Sequence, residues 1–471
     1  MDPNVEDRTP HCLLLPYPNQ GHINPILQFA KRLSHTRRRI QITFILTKFL
    51  LKSTTAAAAA AEADISFRSI SDGFDDGGRA HAKSFEEYTD RFELVGRETL
   101  TELLRELSDS GRPVDCVVYD PFIPWVLDVA KGFGLPAAAF FTQSCAVNSV
   151  YHQVYCGRLR PPLRENEVAV VAAELPPLKA EELPSFIEVH GSYPVVFEMI
   201  KSQFRNVEKA DWIFVNTFYK LEEKVLIQNT ISIINSLSEF WPIKAIGPSI
   251  PSMCLDKRLQ DDEDYGLSLF EPSLSVCLNW LDKHESKSVI YISFGSLVQL
   301  TIEQTQELSQ ALMILDKPFI WIVRKSEESK LPNNFPPENG LIVSWGPQLK
   351  VLGHDAIGCF ITHCGWNSTL EALSLGVPMV AMPQWTDQNT NAKFVTDIWK
   401  VGVWAKKDCK GIVKSNVIID CVEHVMEDGE EIRKNAIMWK EFAREAVDKG
   451  GSSDTNIEDF IITLKEKNEA K

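Results

Sequence analysis

The histidine of Pro16-Tyr17-Pro18-Asn19-Gln20-Gly21-His22-Ile23-Asn24-Pro25 lies between an apolar run and a helical pattern. Gly21 lets the chain turn and Pro25 suits a helix first turn, which puts His22 at the carboxyl end of a strand. There it can take a proton from a hydroxyl near neutral pH. Alone, such a histidine is more often a capping or packing residue. A carboxylate that fixes its tautomer makes a base of it, and Val114-Asp115-Cys116-Val117-Val118-Tyr119-Asp120-Pro121 offers candidates. Asp120 ends the strand of that stretch, whereas Asp115 begins it, about 15 Å away. The expected pair is therefore His22–Asp120. Asp128, in the following helix, reads as surface or cap.

A second stretch runs from Trp345 to Gln388. The apolar run 357–362 ends in His363-Cys364-Gly365-Trp366-Asn367-Ser368-Thr369 and feeds a helical pattern. Gly365 permits a tight turn. The amides of Asn367, Ser368 and Thr369 are then the unpaired N–H groups of a helix start, aimed at an anion. His363 can donate to a phosphate oxygen, and Glu371 can accept from a ribose hydroxyl. Trp345 presents a flat face for a uracil ring, while Asp387 and Gln388 present donors and acceptors to sugar hydroxyls. The plainer alternative is a glycine-capped βα turn beside a core tryptophan. The whole constellation, more than any single residue, points to a nucleotide-diphosphate sugar.

These groups need strand ends to hold them. Short apolar runs alternate with helical patterns in both halves, the mark of parallel α/β construction. The first half reads as strands over 11–16, 41–46, 114–119 and 137–141, with a helix over 25–33. The second reads as strands over 289–293, 319–323, 341–344, 357–362 and 378–382, with helices over 302–315, 366–375 and 389–399. At 471 residues the chain is too long for one ordinary core. Two prolines and a polar, acidic stretch mark a linker over 246–270. It separates an acceptor-binding domain, 1–245, from a donor-binding domain, 271–450. Residues 451–471 form a final helix returning to the first domain. The Ala-rich tract 56–61 reads as a helix-prone insertion. Parallel sheets facing each other open their carboxyl ends on one cleft.

The net charge of −15 excludes nucleic acid and an anionic membrane as partners, since both need a basic face. Ten cysteines scattered without a C-x-x-C pair read as reduced cytosolic thiols. The acidic opening (Asp2, Glu6, Asp7) does not suit a leader, and no window supplies the ~18 apolar residues of a membrane span. A cytoplasmic monomer is expected. Asp262-Glu263-Asp264 is a literal D-x-D metal motif, but it falls in the linker and reads as a solvated acidic run. No metal is expected, and no dinucleotide fingerprint is present.

The segment from Trp345 to Gln388, 44 residues long, closely resembles the signature of plant family 1 UDP-glycosyltransferases. Weaker resemblance extends over most of the chain, including the motif around His22. The resemblance implies a GT-B fold of two Rossmann-like domains, an inverting mechanism, and a UDP-sugar as co-substrate with no further cofactor. It implies that Trp345 stacks on uracil, Gln348 reads its edge, and Glu371 holds the ribose. His363, Asn367, Ser368 and Ser296 would hold the diphosphate; Thr142, Trp366, Asp387 and Gln388 would lie at the sugar. His22 and Asp120 match the family's dyad, and Gln388 at the end of the signature favours glucose over galactose. The first domain looks most like the subgroup that glucosylates phenolic or carboxylic acids, thiohydroximates and steroids. Phe122, Trp125, Phe141, Tyr151, Phe186, Phe197 and Met199 are the candidates for its apolar acceptor pocket. The expected activity is transfer of glucose to a small apolar metabolite. The alternative is a non-catalytic UDP-sugar sensor, against which the joint presence of His22 and Asp120 argues.

Overall fold

Every residue of the first strand, β1 (His11–Leu15), is buried, which requires a sheet covered on both faces. A computed structural model describes residues 9–35, 40–54, 65–163, 168–169, 175–189, 191–226, 229–232, 241, 243–267 and 273–469. The acidic opening and the 56–61 tract lie outside the described residues.

β1 joins β2 (Gln41–Thr47), β3 (Ile65–Ile70), β4 (Cys116–Tyr119), β5 (Ala137–Phe141), β6 (Trp212–Val215) and β7 (Ile243–Ala245). They form one parallel sheet in the order β7-β6-β5-β4-β1-β2-β3. The second half repeats the construction with β8 (Val289–Ser293), β9 (Phe319–Ile322), β10 (Gly340–Val343), β11 (Ile357–Thr362), β12 (Met379–Ala381) and β13 (Gly402–Trp404). Their order is β10-β9-β8-β11-β12-β13, again all parallel. Each sheet reverses direction beside its first strand, the doubly wound order whose crevice receives ligands. Together they are the two Rossmann-like domains of a GT-B fold. Strands β3, β6, β7 and β13 were not evident in the sequence pattern.

Helix α1 (Gln20–Ser34) starts earlier than the sequence suggests, so Pro25 sits inside it. The final helix, α5 (Ser452–Glu469), packs on the first sheet. Its Phe460 ring lies 5.0 Å from Trp212 and 5.1 Å from Phe214, and Asn456 donates to the Ala245 carbonyl at 2.7 Å. Between α1 and α5 run helices α2 (Trp125–Gly132), α3 (Trp366–Leu375) and α4 (Gln388–Lys393). Among the described residues no helix is long and apolar enough to cross a membrane.

The acidic run sits in solvent as expected except at Asp262. Asp262 is buried and pairs with buried Lys31 of α1 at 2.8 Å. Its second oxygen accepts the Ser252 amide at 2.7 Å. Its partners fill it, and the segment between the domains is stapled to α1 instead of swinging free. Asp261, Glu263 and Asp264 are exposed.

Candidate active site

β1 and β4 pair with Leu15 opposite Tyr119, so the residues after both strands emerge at one sheet edge. The Asp120 amide continues the ladder by donating to the Leu15 carbonyl at 3.1 Å. Three residues into α1, His22 turns its Nδ1 to the Asp120 carboxylate at 2.6 Å. A carboxylate only accepts, so Nδ1 carries the proton and Nε2 is left as a base facing the cleft. The other Asp120 oxygen accepts the Phe122 amide at 3.0 Å, which fixes the carboxylate in turn. Tyr17 and Phe122 hold the imidazole by its faces and edges, with centroids 5.4 and 4.9 Å away. Thr142 Oγ1 is 3.2 Å from Nδ1. At the opposite end of the same region, Asp115 accepts the His11 amide at 2.8 Å, remote from the pair.

His22 borders a cavity of about 590 Å³ between the two sets of strand ends. Thr142, Ser296, Trp345, Gln348, His363, Trp366, Asn367, Ser368, Glu371, Asp387 and Gln388 all border it too. Helix α3 opens on Gly365, and its first internal bond is from the Thr369 amide to the Gly365 carbonyl, 2.9 Å. The unpaired donors are therefore those of Trp366, Asn367 and Ser368; Thr369, expected among them, is already bonded. His363 lies behind this turn. Burial lowers its pKa to about 4, so at neutral pH it is an uncharged donor. A β-carbon at Gly295 or Gly365 would come within 2.8 or 2.5 Å of its Nε2, which is why glycine stands on both sides. Cys364 (φ 61°) and Thr386 (φ 58°) hold left-handed conformations at two neighbouring strand ends, the kind of strain that gathers at functional sites.

Several side chains are spoken for in ways the sequence did not reveal. The Gln348 amide donates to Ser368 at 2.8 Å and to Glu371 at 2.7 Å. Its side-chain N–H groups are thus spent on the wall. Tyr265, from the segment between the domains, donates to the other Glu371 oxygen at 2.7 Å. Burial pushes that carboxyl up to about 7, while Gln348 and Tyr265 pull it down. The Trp366 indole N–H is bonded to the Asn216 carbonyl at 2.7 Å, so only its ring and main chain remain for a sugar. The Asn367 side chain reaches across the cleft to the Gly21 carbonyl at 2.7 Å. Gln388 Oε1 accepts the amides of Gln384 and Trp385 at 2.9 and 3.1 Å. It keeps one function for the cavity, its Nε2 donor, where both a donor and an acceptor were expected. Asp387 is held by Thr386 at 2.6 Å and Asn391 at 2.7 Å. Burial raises its pKa, and the hydrogen bonds from Thr386 and Asn391 pull it back.

On the acceptor side, Phe122 and Met199 border the cavity. The other expected residues belong to the core. Trp125 packs edge-on against Phe92 at 5.5 Å, Phe141 stacks on Phe204 at 6.0 Å, and Tyr151 is fully buried. Phe186 packs against Phe197 at 6.4 Å and behind Trp385 at 5.9 Å. The wall is instead completed by Tyr17, Phe85, Val196, Ile200 and Trp385, with Arg79 beside them. Apolar character marked both sets alike; only Tyr17 and Trp385 stood inside motifs singled out in the sequence. Among the described residues no group of acidic, histidine or cysteine side chains is placed to hold a metal ion.

A family model described as "UDP-glucoronosyl and UDP-glucosyl transferase" matches residues 275–443. UDP-glycosyltransferase 74F2 of Arabidopsis thaliana is 45% identical over 473 residues, covering 98% of this chain and 100% of that protein. The flavonol 7-O-beta-glucosyltransferase UGT74F1 of the same plant is 43% identical, covering 98% and 100%. Among solved structures, Os79 from O. sativa in complex with UDP is similar with a TM-score of 0.89 and 37% identity, covering 96% of this chain and 100% of that one.

Proposed function

The chain belongs to the plant family 1 UDP-glycosyltransferases, and from that premise we propose that it transfers glucose from UDP-glucose, with inversion and without a metal ion, to a hydroxyl or carboxyl of a small apolar acceptor such as a phenolic or a steroid. The observation that carries this reading is the 2.6 Å contact between His22 Nδ1 and Asp120, with Nε2 turned to the cavity.

His22 Nε2 takes the acceptor's proton as its oxygen attacks the anomeric carbon. The bond from that carbon to the diphosphate oxygen breaks, and UDP leaves with the electron pair. One displacement on an α-linked donor yields a β-glucoside. Asp120 steadies the imidazolium that forms, and the proton passes to water after product leaves. Charge on the departing diphosphate is met by the N–H groups of Trp366, Asn367 and Ser368 and by uncharged His363. Trp345 carries the uracil and Glu371 the ribose. Gln388 Nε2 donates to the sugar, with Asp387 accepting from it. These roles are supported by the position of each side chain on one cavity and by the UDP in the Os79 complex. The flavonol glucosyltransferase relative supports glucose and a phenolic acceptor. Since the relatives are named for transfer, the sensor alternative has no support. Both halves of the cavity come from one chain, which supports action as a monomer.

The test is UDP release with UDP-glucose and UDP-galactose at equal concentration, over a panel of phenolic and steroid acceptors, with and without EDTA. A β-glucoside in the NMR spectrum, undiminished by EDTA, is expected. A preference for galactose, an α-linked product or an absolute need for manganese would each overturn the corresponding part.

A further inference from the structure

Among the described residues, two side chains bring a full positive charge to the cavity wall, Arg79 and Lys350. Lys350 is neutralised by Glu263 at 2.8 Å. Arg79 makes no ion pair among the described residues, although three aspartates share its segment. Asp72 is taken by the Tyr88 hydroxyl at 3.1 Å and the Phe74 amide at 2.9 Å. Asp75 is taken by Ser71 at 2.6 Å and Lys48 at 3.1 Å, and Asp76 faces Lys52 at 3.7 Å. The Arg79 guanidinium lies 4.6 Å from the centre of the Phe85 ring, and Phe85 is itself part of the wall. Tyr17, whose ring adjoins His22, feels the same charge: burial raises its phenol and Arg79 pulls it back. The cation and the base therefore share the acceptor half. The carboxylates that border the cavity, Asp264, Glu371 and Asp387, come from the inter-domain segment and the donor-binding domain.

We propose that Arg79 is a specificity-determining residue that binds the carboxylate of an anionic acceptor, an assignment that rests on the transfer reaction proposed above. A guanidinium stacked on a ring keeps its edge N–H groups free, and their planar fork matches the two oxygens of a carboxylate. The ligand's own body would cover the pair and exclude water, strengthening it. The acceptor thus has an apolar body for Phe122, Val196, Met199 and Trp385, and a carboxylate at the Arg79 end. The negative groups on the donor side oppose the reverse placement.

The experiment compares 4-hydroxycinnamate with its methyl ester on the full chain, wild type, Arg79→Met and Arg79→Lys, with thermal melting to confirm folding. Binding is read by protein fluorescence in the presence of UDP, and transfer by UDP release from UDP-glucose. The wild type is expected to bind the acid more tightly than the ester. Arg79→Met should weaken the acid roughly tenfold or more while leaving the ester within about twofold, and Arg79→Lys should restore part of the loss. In transfer the effect should fall on KM of the acid, with kcat unchanged. No binding of the acid, equal affinity for acid and ester, or equal losses for both in Arg79→Met would overturn the assignment. Arg79-dependent binding without UDP release would instead count against the transfer reaction and leave the assignment standing.

Discussion

The carbonyl of Gly21 accepts a hydrogen bond from the Asn367 side chain across the cleft, at 2.7 Å. Pro25, four residues on, makes this possible. It lies inside α1 and has no N–H to give the Gly21 carbonyl its helical partner. The turn that carries His22 is thereby tied to the start of α3 on the other side of the cleft. Replacing Pro25 by Ala supplies the missing N–H and should release Asn367. Pro25→Ala and Asn367→Ala should each lower turnover by about two- to tenfold, the net worth of one such bond. The double variant should be little worse than either single one. Additive losses measured in kcat would sink the idea that the two residues act through one bond.

His22→Ala should cut transfer to an alcohol by about 10²–10⁴-fold and leave UDP affinity near wild type. A carboxylic acceptor, already ionised at its reacting oxygen, should lose less. Steady-state rates with both acceptor types decide this; equal losses would argue against proton abstraction.

Asp120→Asn should keep the fold and lower kcat sharply, because an amide cannot stabilise the imidazolium and can donate to Nδ1. Asp115→Asn should leave kcat largely intact, since Asn can still accept the His11 amide that Asp115 holds at 2.8 Å. Thermal melts of both variants separate folding from catalysis. A dead Asp115→Asn beside a nearly silent Asp120→Asn would reverse the assignment.

Glu371 should leave a mark on stability. Its usual pKa of 4.5 is raised to about 7 by burial. Between those values the folded chain keeps a proton that the unfolded chain has lost, so this group makes stability fall as pH rises through the window. Glu371→Gln removes the effect. The variant should gain on the wild type from pH 4.5 to pH 7, by on the order of 3 kcal/mol. Denaturant midpoints taken across that range test it, and a pH-independent difference would refute it.

Lys31→Met should strand Asp262 in the interior and cost about 3–5 kcal/mol, as breaking a buried pair does. A clear fall in melting temperature is expected. Manganese should not rescue it, because the Ser252 amide still occupies one Asp262 oxygen. An unchanged melting temperature, or rescue by the metal, would restore the solvated or metal-binding reading of the acidic run.

Much of the site is legible in the sequence alone. Alternation of strand and helix brings the ends of neighbouring parallel strands to one edge, so a histidine after β1 and an aspartate ending the β4 stretch had to converge. The turn from His363 to Ser368 was equally readable, because its glycine and its helix start are local features with one geometric outcome.

The rest depended on contacts between parts of the chain far apart in sequence. Gln388 could not be known to spend its carbonyl on Gln384 and Trp385, nor Gln348 its amide on Ser368 and Glu371, until the loops were placed. Lys31 and Asp262, 231 positions apart, had no local pattern to announce their pairing. The acceptor pocket failed most, and for one reason. Periodicity and hydropathy report that a side chain leaves water, and a core and an apolar cavity satisfy that equally. Trp125 and Phe141 went to the first, Phe122 and Met199 to the second. What separates them is which layers of the two domains meet, and which faces they leave apart.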